Sequence, residues 1–449
     1  MKKVFINCNI IDGKGGDIRP NLSIFVIDSK IVNIVENCKD FKGYKIIDLH
    51  NKYIMPGLIN AHVHLFGTGM PSKIVGGGSL QDKVIKFINT KIGHKVADKL
   101  VESSAKQQLN SGVTTLRSMG DFVYSDVRVR DAINRGDLVG PRLIVSGPAI
   151  TVTGGHGDGT MAMSADTEED LRKLVRQNVD NKVDIIKICV TGGVMDAKKK
   201  GEPGELRMNV AQTTAVCEEA HKYGLKVASH TESEEGVNVC IQSKVDTIEH
   251  SSILDYDMIK GLKANKSAII CTLTPALMLA SLSSEVTKLS PLCVYNSEVV
   301  FENMIKGAKA ALNNGILVGA GTDASCPFAT QYNTWREIKY ISKYLNISIP
   351  KAISIMTLEN AKVLGLDEKI GTIERGKEAD MIVANENPYE NIDTLANLFM
   401  VVVGGKIIRK PKAKKSKSLD HNIEEVEKII DKKVKELQEK AEELEEKVN

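Results

Sequence analysis

The sequence lacks any long apolar run. No window approaches the roughly 20 apolar residues that a membrane-spanning helix requires, and the first residues run into strand-like alternation rather than into a signal-peptide pattern. A formal net charge of +3 over 449 residues leaves no large excess of either sign, which excludes a broad nucleic-acid-binding surface. We therefore expect a cytoplasmic protein that binds neither membrane nor nucleic acid.

Closely spaced cysteine pairs are also absent. The eight cysteines are scattered along the chain without a C-x-x-C motif, which is typical of buried thiols in a reducing compartment. An apolar fraction of 42% and a charged fraction of 26% are those of an ordinary globular protein. At 449 residues the chain can form one large domain and a smaller one.

The middle of the chain alternates short apolar runs with longer segments of helical period, which predicts repeated βα units on a parallel sheet. Eight candidate strands lie within residues 57–365, at Leu58–His64, Val113–Met119, Arg142–Gly147, Val183–Val190, Leu225–His230, Val245–His250, Ser267–Cys271 and Ile316–Gly321. Their number and the length of the segment predict an α/β fold in which residues 57–365 form a (β/α)8 TIM barrel.

Both ends of the chain are rich in short β runs. These runs are Val4–Ile6, Ser23–Ile27, Ile31–Val35 and Lys45–Leu49 at one end, and Gly371–Ile373, Ala379–Val383 and Met400–Ile408 at the other. Each half alone would leave open sheet edges. We therefore predict one small β-sandwich domain composed of residues 1–56 and 366–409.

Residues 410–449 are predicted to be a basic linker followed by a C-terminal amphipathic helix. The linker contains Pro411 and is expected to be mobile. Apolar residues then recur every seven positions among Glu and Lys, at Ile423, Ile430, Leu437 and Leu444, flanked by Val426, Val434, Ala441 and Val448. Residues 423–448 either pair with a second copy of the chain, giving a homo-oligomer, or dock on their own domain.

Four of the nine histidines lie at the ends of predicted strands. His62 and His64 are two residues apart on the first barrel strand, so both point into the barrel, where unpaired imidazoles are costly to bury. His230 and His250 end strands 5 and 6, and Asp323 follows strand 8. Polar residues at the carboxyl ends of barrel strands are typical of catalytic sites.

Lys187 lies among apolar neighbours in strand 4. An ammonium is disfavoured there, so the pKa of Lys187 should fall and its neutral amine become available. Such an amine can take up carbon dioxide to form a carbamate, an anionic ligand able to bridge two metals. Imidazole, carboxylate and carbamate together suit zinc or another first-row divalent ion.

Taken singly, each of these residues has an ordinary structural explanation. A barrel histidine can be a hydrogen-bonded core residue, Lys187 can extend its amine to the strand edge, and Asp323 can cap a helix. The set as a whole is informative because all six residues occur in one order along the barrel.

That order resembles the amidohydrolase superfamily, through the H-x-H of strand 1, the strand-4 lysine, the strand-5 and strand-6 histidines and the Gly-Thr-Asp of strand 8. The resemblance implies two divalent metal ions, zinc by default, held by His62, His64 and Asp323 and by His230 and His250, with carboxylated Lys187 as the bridge. It also implies a metal-bridging hydroxide as nucleophile and Asp323 as general base and acid.

Within the superfamily, the sequence resembles imidazolonepropionase-like and Xaa-Pro or Xaa-Arg dipeptidase-like enzymes. The motifs that carry this likeness are residues 153–158, 187–194 and 246–250. In dipeptidase-like members the histidine of the Thr-Gly-Gly-His loop helps to hold the substrate, which implies that role for His156. The alternative is that His156 orders its own glycine-rich loop.

Two further residues are predicted to contact substrate. Glu232 stands where dipeptidase-like relatives often have a tyrosine that binds a substrate carboxylate, and an acidic residue there favours a cationic or hydrogen-bond-donating group instead. Alternatively, Glu232 faces solvent at the start of the next helix. Arg117 ends strand 2 and either binds an anionic substrate group or forms a buried ion pair with Asp121.

The predicted function is binuclear metal-dependent hydrolysis of an amide C–N bond in a small molecule, either a dipeptide or an N-acyl amino acid. A cyclic amide or lactone, such as an imidazolone or hydantoin, is the alternative substrate. A deaminase is disfavoured because Ser233 stands where such enzymes carry a glutamate, and because Lys187 is present. A metal-free scaffold would have no need of the ligand set.

Overall fold

The computed structural model describes residues 1–36, 38–71 and 79–448. Within these ranges, the side chains of residues 79–82 and 433–448 are not described. Its strands are β1 (Lys2–Ile10), β2 (Arg19–Ile27), β3 (Lys30–Glu36), β4 (Lys45–Asp48), β5 (Tyr53–Pro56), β6 (Leu58–Val63), β7 (Val113–Ser118), β8 (Arg142–Val145), β9 (Ala149–Thr151), β10 (Ala162–Ser164), β11 (Ile186–Cys189), β12 (Val227–Thr231), β13 (Thr247–His250), β14 (Ala268–Cys271), β15 (Val318–Ala320), β16 (Met381–Ala384), β17 (Met400–Val403) and β18 (Lys406–Arg409).

One eight-stranded sheet combines strands from both ends of the chain, in the order β18-β17-β16-β5-β1-β2-β3 with β4 beside β1. The two ends meet where β5 pairs antiparallel with β16, opposing Pro56 to Met381. Side chains from both ends, among them Phe5 and Val402, share one apolar core. Strands from both ends therefore lie in one sheet, as the open-edge argument predicts.

Two details of the predicted β runs at the C-terminal end are wrong. Residues 371–373 form no strand; Gly371 there has a φ of 92°, which an extended strand does not accommodate. The predicted run 400–408 is a hairpin of β17 and β18. The chain reverses because Gly404 and Gly405 both have positive φ, 52° and 70°, which suits a two-residue hairpin turn.

The eight strands predicted for the barrel are present and lie in two parallel sheets. The sheets have the orders β6-β7-β8 and β10-β9-β11-β12-β13-β14-β15. Backbone hydrogen bonds join them on both sides, from Asp184 N to Val145 O at 2.8 Å and from Asp323 N to His62 O at 2.9 Å. The carboxyl ends of the strands consequently gather at one side of the molecule.

Helices connect these strands. They are α1 (Ser79–Ile88), α2 (Lys91–Asn110), α3 (Ser125–Arg135), α4 (Glu168–Asp180), α5 (Val210–Lys222), α6 (Glu234–Gln242), α7 (Tyr256–Asn265), α8 (Leu273–Ser281), α9 (Ser284–Thr287), α10 (Pro291–Asn313), α11 (Thr334–Leu345), α12 (Ile349–Ser354), α13 (Asn360–Leu364) and α14 (Lys417–Val448), with a π turn (Ile355–Glu359) and a 3-10 turn (Ile392–Ala396). Side-chain caps fix the starts of several of these helices, as in the Asn209–Gln212 capping box of α5. Their apolar faces join the strands in the main core.

The first half of α14 docks on its own domain. Leu419, Ile423 and Val426 are buried in the main core, and Glu427 forms an ion pair with Arg336 of α11. The preceding linker contacts the body of the fold, since Asn110 Nδ2 donates to Lys412 O at 3.1 Å and Ser416 N donates to Tyr332 Oη at 2.8 Å. The mobility expected of the linker stays a prediction.

The second half of α14 carries the other apolar positions predicted to pair between chains. These are Val434, Leu437, Ala441, Leu444 and Val448, and their side chains lie outside the described residues. The predicted homo-oligomer through 423–448 stays a prediction. Among the described helices, none combines the length and the hydropathy that a membrane crossing needs.

Candidate metal centre

The six predicted ligands converge at the carboxyl ends of the barrel strands. His62 lies in β6, Lys187 in β11, His230 in β12 and His250 at the end of β13, while His64 follows β6 and Asp323 follows β15. All six side chains are buried. Parallel strands gather their carboxyl ends at one side of the fold, so residues far apart in sequence meet there.

His62, His64 and Asp323 form the first of two groups whose donor atoms lie within 4.8 Å of one another. Nε2 of His62 and Nε2 of His64 lie 3.5 and 3.2 Å from Oδ1 of Asp323. Gly321 permits this approach, because a Cβ there would meet the backbone nitrogen of His62 at 2.3 Å. Although burial disfavours its charge, the imidazoles of His62 and His64 hold the pKa of Asp323 well below its usual range.

His230, Glu232 and His250 form the second group. It adjoins the first, since the ring centroids of His62 and His250 are 5.0 Å apart and those of His230 and His250 are 4.7 Å apart. Burial, with the charge of Lys187, lowers the pKa of His62 to about 4. Burial likewise lowers the pKa values of His230 and His250 well below the usual range. Imidazoles that stay neutral keep a lone pair for a metal.

Hydrogen bonds to protein acceptors orient the four imidazole rings. Nδ1 of His62 lies 2.7 Å from Glu249 Oε2, and Nδ1 of His64 lies 3.2 Å from Gly120 O. Nδ1 of His250 lies 2.7 Å from Thr272 Oγ1. In His230 the bound atom is instead Nε2, which lies 3.2 Å from Gly192 O. A histidine held through one ring nitrogen presents the other to a metal. The presented atoms are therefore Nε2 in three rings and Nδ1 in His230.

Lys187 has the environment that carboxylation requires. Its side chain is 2% exposed, and Nζ has no hydrogen-bond partner in the described part of the chain. Burial lowers the pKa of Lys187, against the opposing charges of Glu249 and Asp323. A buried amine without an acceptor is a costly arrangement, and conversion to a carbamate between two divalent ions would relieve it. The donor set thus fits two metal ions.

Arg117 lies behind the ligands rather than on their open side. Its guanidinium is buried and donates to Glu249, to Thr247 Oγ1 at 3.0 Å and to Ala61 O. The ion-pair partner of Arg117 is Glu249, so the predicted pairing with Asp121 is wrong. With its donors bound to protein acceptors, Arg117 is placed to support His62 through Glu249.

Glu249 is the residue that sequence reasoning missed. Although burial disfavours its charge, Arg117 and His62 hold the pKa of Glu249 below its usual range. The sequence did contain a signal for Glu249: it lies two residues after Thr247 in β13, so the two polar side chains share a face of the strand. In the structure, Thr247 Oγ1 donates to Glu249 Oε1 at 2.6 Å. His250 also points into the site because its φ of 68° breaks the strand alternation.

His156 lies against the second group. Its ring stacks on that of His230, with centroids 4.1 Å apart and planes within 1°, and its Nδ1 contacts the carboxylate of Asp196. Gly193 leaves room for both rings, since a Cβ there would lie 3.0 Å from Nε2 of His230. His156 therefore contacts residues of the site as well as belonging to its own loop.

Glu232 is buried beside the second group and does not face solvent. Glu232 is the residue directly after β12, and its backbone N–H donates to Thr191 Oγ1 at 3.0 Å. Burial, with the charges of Asp323 and Asp196, raises the pKa of Glu232 to about 8. Its solvent-facing alternative is therefore excluded.

The histidines without a predicted role lie elsewhere. His50 is exposed beside Asp48, and His221 contacts Asp246 at 2.8 Å.

The eight cysteines are free thiols, and most of them are buried, as predicted from their scattered spacing.

Known proteins share this arrangement of elements. The pattern of the amidohydrolase family matches residues 53–408. A candidate prolidase from Bifidobacterium longum is 34% identical in sequence, and its solved structure superposes with a TM-score of 0.83 over 95% of this chain and 98% of that one. A solved Xaa-Pro dipeptidase with methionine bound in its active site is 28% identical, with a TM-score of 0.79 over 91% of this chain and 100% of the other. The ochratoxinase of Aspergillus niger is 23% identical over 435 residues, 90% of this chain and 85% of that protein.

Proposed function

Because the chain belongs to the amidohydrolase family, we propose that it is a binuclear metal-dependent hydrolase that cleaves an amide C–N bond. The observation that carries the proposal is the pair of adjoining ligand groups with the unpartnered amine of Lys187 beside them. The barrel that holds them is inferred to be closed. Backbone hydrogen bonds at both junctions of the two sheets support this closure.

The bridge between the two metal sites depends on Lys187. We infer that its neutral amine adds to carbon dioxide, forming an N–C bond and releasing one proton, so that the product is a carbamate anion. The first ion would be held by His62, His64 and Asp323, the second by His230 and His250, and the carbamate would bridge them. Two divalent ions bound there, with zinc the default choice, polarise a scissile carbonyl and acidify water.

Asp323 moves the proton in this reaction. Its carboxylate faces both ligand groups and stays ionised, so it accepts a proton from the attacking water. The same carboxyl then gives that proton to the leaving nitrogen, and the products are a carboxylic acid and an amine. His62 and His64 keep Asp323 in place for both transfers.

The proposed substrate is a dipeptide or an N-acyl amino acid. The likeness to a Xaa-Pro dipeptidase with a bound amino acid supports an acyclic substrate that has an amino acid on one side of the bond. His156 is proposed to contact this substrate, since its stacking on His230 places the ring beside the second group. Asp196 holds Nδ1, which leaves Nε2 to bind the substrate.

The test is a hydrolysis screen of the zinc-loaded enzyme. The panel contains Xaa-Pro and Xaa-Arg dipeptides, N-acyl amino acids, hydantoins, imidazolones and lactones. Asp323→Asn serves as the blank, and His50→Gln, a change at an exposed histidine, is the matched control. Metal content is measured on each variant, and bicarbonate labelled with carbon-13 reports the carbamate on Lys187.

We expect turnover of dipeptides or N-acyl amino acids that Asp323→Asn abolishes and His50→Gln retains. Turnover of ring amides alone would replace the acyclic substrate by a cyclic one. A protein that binds no metal, or an Asp323→Asn variant as active as the wild type, would overturn the proposal.

A further inference from the structure

Glu232 lies close to the metal-binding atoms of the second group. Its carboxylate oxygen and the ring nitrogens of His230 and His250 lie within 4.8 Å of one another. Ligands around a tetrahedral zinc stand roughly 3.4 Å apart, given metal–ligand bonds of about 2.1 Å. Small side-chain rotations would therefore bring all three atoms onto one ion.

The carboxylate is fixed but only partly used. Thr191 anchors the backbone of Glu232, and the backbone N–H of Val194 interacts with its carboxylate. The second oxygen, Oε2, is buried and finds no hydrogen-bond partner among residues 1–36, 38–71 and 79–448. A buried carboxylate oxygen without a donor indicates that a bound species absent from the protein atoms completes it.

Charge identifies that species as a cation. The carboxylates of Asp323 and Asp196 act on Glu232 with the same sign as its own charge. The ring nitrogens of His230 and His250, which lie within 4.8 Å of the Glu232 oxygen and of each other, are atoms that bind a metal ion. A divalent ion between His230 and His250 supplies the charge that Glu232 lacks.

We propose that Glu232 is a direct ligand of the second metal ion. This inference rests on the proposed binuclear site and extends it. Each ion then has two imidazoles, one carboxylate and a share of the carbamate: Asp323 serves the first ion and Glu232 the second. The Glu232 carboxyl loses its proton when the ion binds and needs no carbon dioxide to become a ligand, so the second ion stays bound before Lys187 is carboxylated.

Metal counting on the full chain tests this assignment. Metal-free wild type, Glu232→Gln and Glu234→Gln are loaded with zinc, with and without bicarbonate. Zinc per chain is measured by mass spectrometry, and affinities by competition with a chelator. Glu234→Gln is the matched control, because Glu234 is exposed in the first turn of α6. Cobalt(II) replaces zinc in a parallel series, whose visible absorption reports coordination directly.

We expect two ions in wild type and Glu234→Gln, under both conditions. Glu232→Gln should keep one ion tightly and bind the second at least about 100-fold more weakly, the upper end of the loss seen when an outer-shell partner is removed. Its cobalt spectrum should lose one component.

Two results would overturn the assignment. One is a folded Glu232→Gln that binds both ions as tightly as wild type. The other is a Glu232→Gln protein that retains both ions and whose KM changes only for substrates with a cationic group. That result would make Glu232 a substrate contact, as predicted from the sequence. A wild-type protein that binds no metal would instead refute the binuclear site itself.

Discussion

Arg117 donates hydrogen bonds to both carboxylate oxygens of Glu249, each at 2.8 Å. Glu249 in turn lies 2.7 Å from Nδ1 of His62, so the ring presents Nε2 toward Asp323. The three side chains are 0–1% exposed. Burial of this kind makes the pair costly to break, because removal of one partner leaves an uncompensated charge.

We predict that Glu249→Gln weakens both the fold and the first metal group. Loss of the carboxylate leaves the Arg117 guanidinium without an ionic partner, for an expected cost of about 3–5 kcal/mol in the free energy of unfolding. Metal affinity should fall about 10–100-fold, because His62 loses the acceptor that orients it. Urea unfolding and chelator competition measure the two effects.

Thr247→Val is the control for that substitution. It removes only a hydroxyl that contacts Glu249 and Arg117, and the expected loss is about 1 kcal/mol. If Glu249→Gln were no more destabilising than Thr247→Val, the ion pair would not be the support that its geometry indicates.

His156 provides a second prediction, on substrate binding. His156→Phe keeps an aromatic ring against His230 and removes the ring nitrogens. If His156 donates to a charged substrate group, KM for a dipeptide should rise about 10–100-fold, since such hydrogen bonds contribute about 1.5–3 kcal/mol. Steady-state kinetics should show a smaller change in kcat, because Asp323 is untouched.

Asp196→Asn separates binding from stacking in that experiment. It weakens the partner of Nδ1 and leaves the parallel rings of His156 and His230 in place. An intermediate increase in KM is expected. Wild-type KM in His156→Phe would show instead that the histidine only orders its loop.

The positions of the six predicted ligands could be inferred from sequence because each depends on local sequence. His62 and His64 share a face through the two-residue period of a strand, and topology alone gathers strand ends at one side of a parallel fold. The eight strands follow from the alternation of apolar runs with helical segments. These features are encoded near the residues themselves.

The supporting contacts could not be predicted in the same way. Arg117 of β7 pairs with Glu249 of β13, and these strands belong to different sheets. Their contact depends on how the two sheets come together, which the spacing of residues along the chain does not indicate. The partners of α14, such as Arg336 with Glu427, are equally remote in sequence. The hairpin at Gly404 could have been predicted, because a Gly-Gly pair between two β runs is typical of a two-residue hairpin turn.

Glu427 gives the third prediction, on the docking of α14. Its carboxylate contacts Arg336 and accepts from Tyr340 Oη at 2.9 Å, and the Arg336 side chain is mostly buried. Glu427→Ala should lower the free energy of unfolding by about 3 kcal/mol, because the buried guanidinium loses its nearer partner and keeps Glu424 at 3.9 Å. Proteolysis within α14 should also become faster.

Glu425→Ala is the matched control on the same helix. Glu425 pairs with Lys428 in an exposed position, where solvent screens the attraction and the pair adds little to stability. Equal effects of the two substitutions would mean that α14 is held by its apolar residues alone.

Two buried carboxyls beside the site make stability depend on pH. Oδ2 of Asp121 accepts from the backbone N–H of Asp126 at 2.9 Å. Burial raises the pKa of Asp126 to about 6. Burial also raises the pKa of Asp121 well above its usual value, and the neighbouring charge of Asp126 raises it further. The native state therefore binds more protons than the unfolded state above about pH 4. Their contribution to stability falls as pH rises through the native pKa values.

We predict that Asp121→Asn reduces this loss. The amide cannot ionise and can donate to the Asp126 carboxylate, so the variant should gain stability relative to wild type as pH rises from 5 to 8. The gain should be about 1.4 kcal/mol for each unit by which folding raises the pKa of Asp121. Urea unfolding of metal-free wild type and metal-free Asp121→Asn at pH 5 and pH 8 measures this gain. Groups that titrate equally in the two proteins contribute equally to both stabilities, so they cancel from the difference. A difference that stays constant from pH 5 to pH 8 would mean that the two carboxyls do not share a proton in the folded protein.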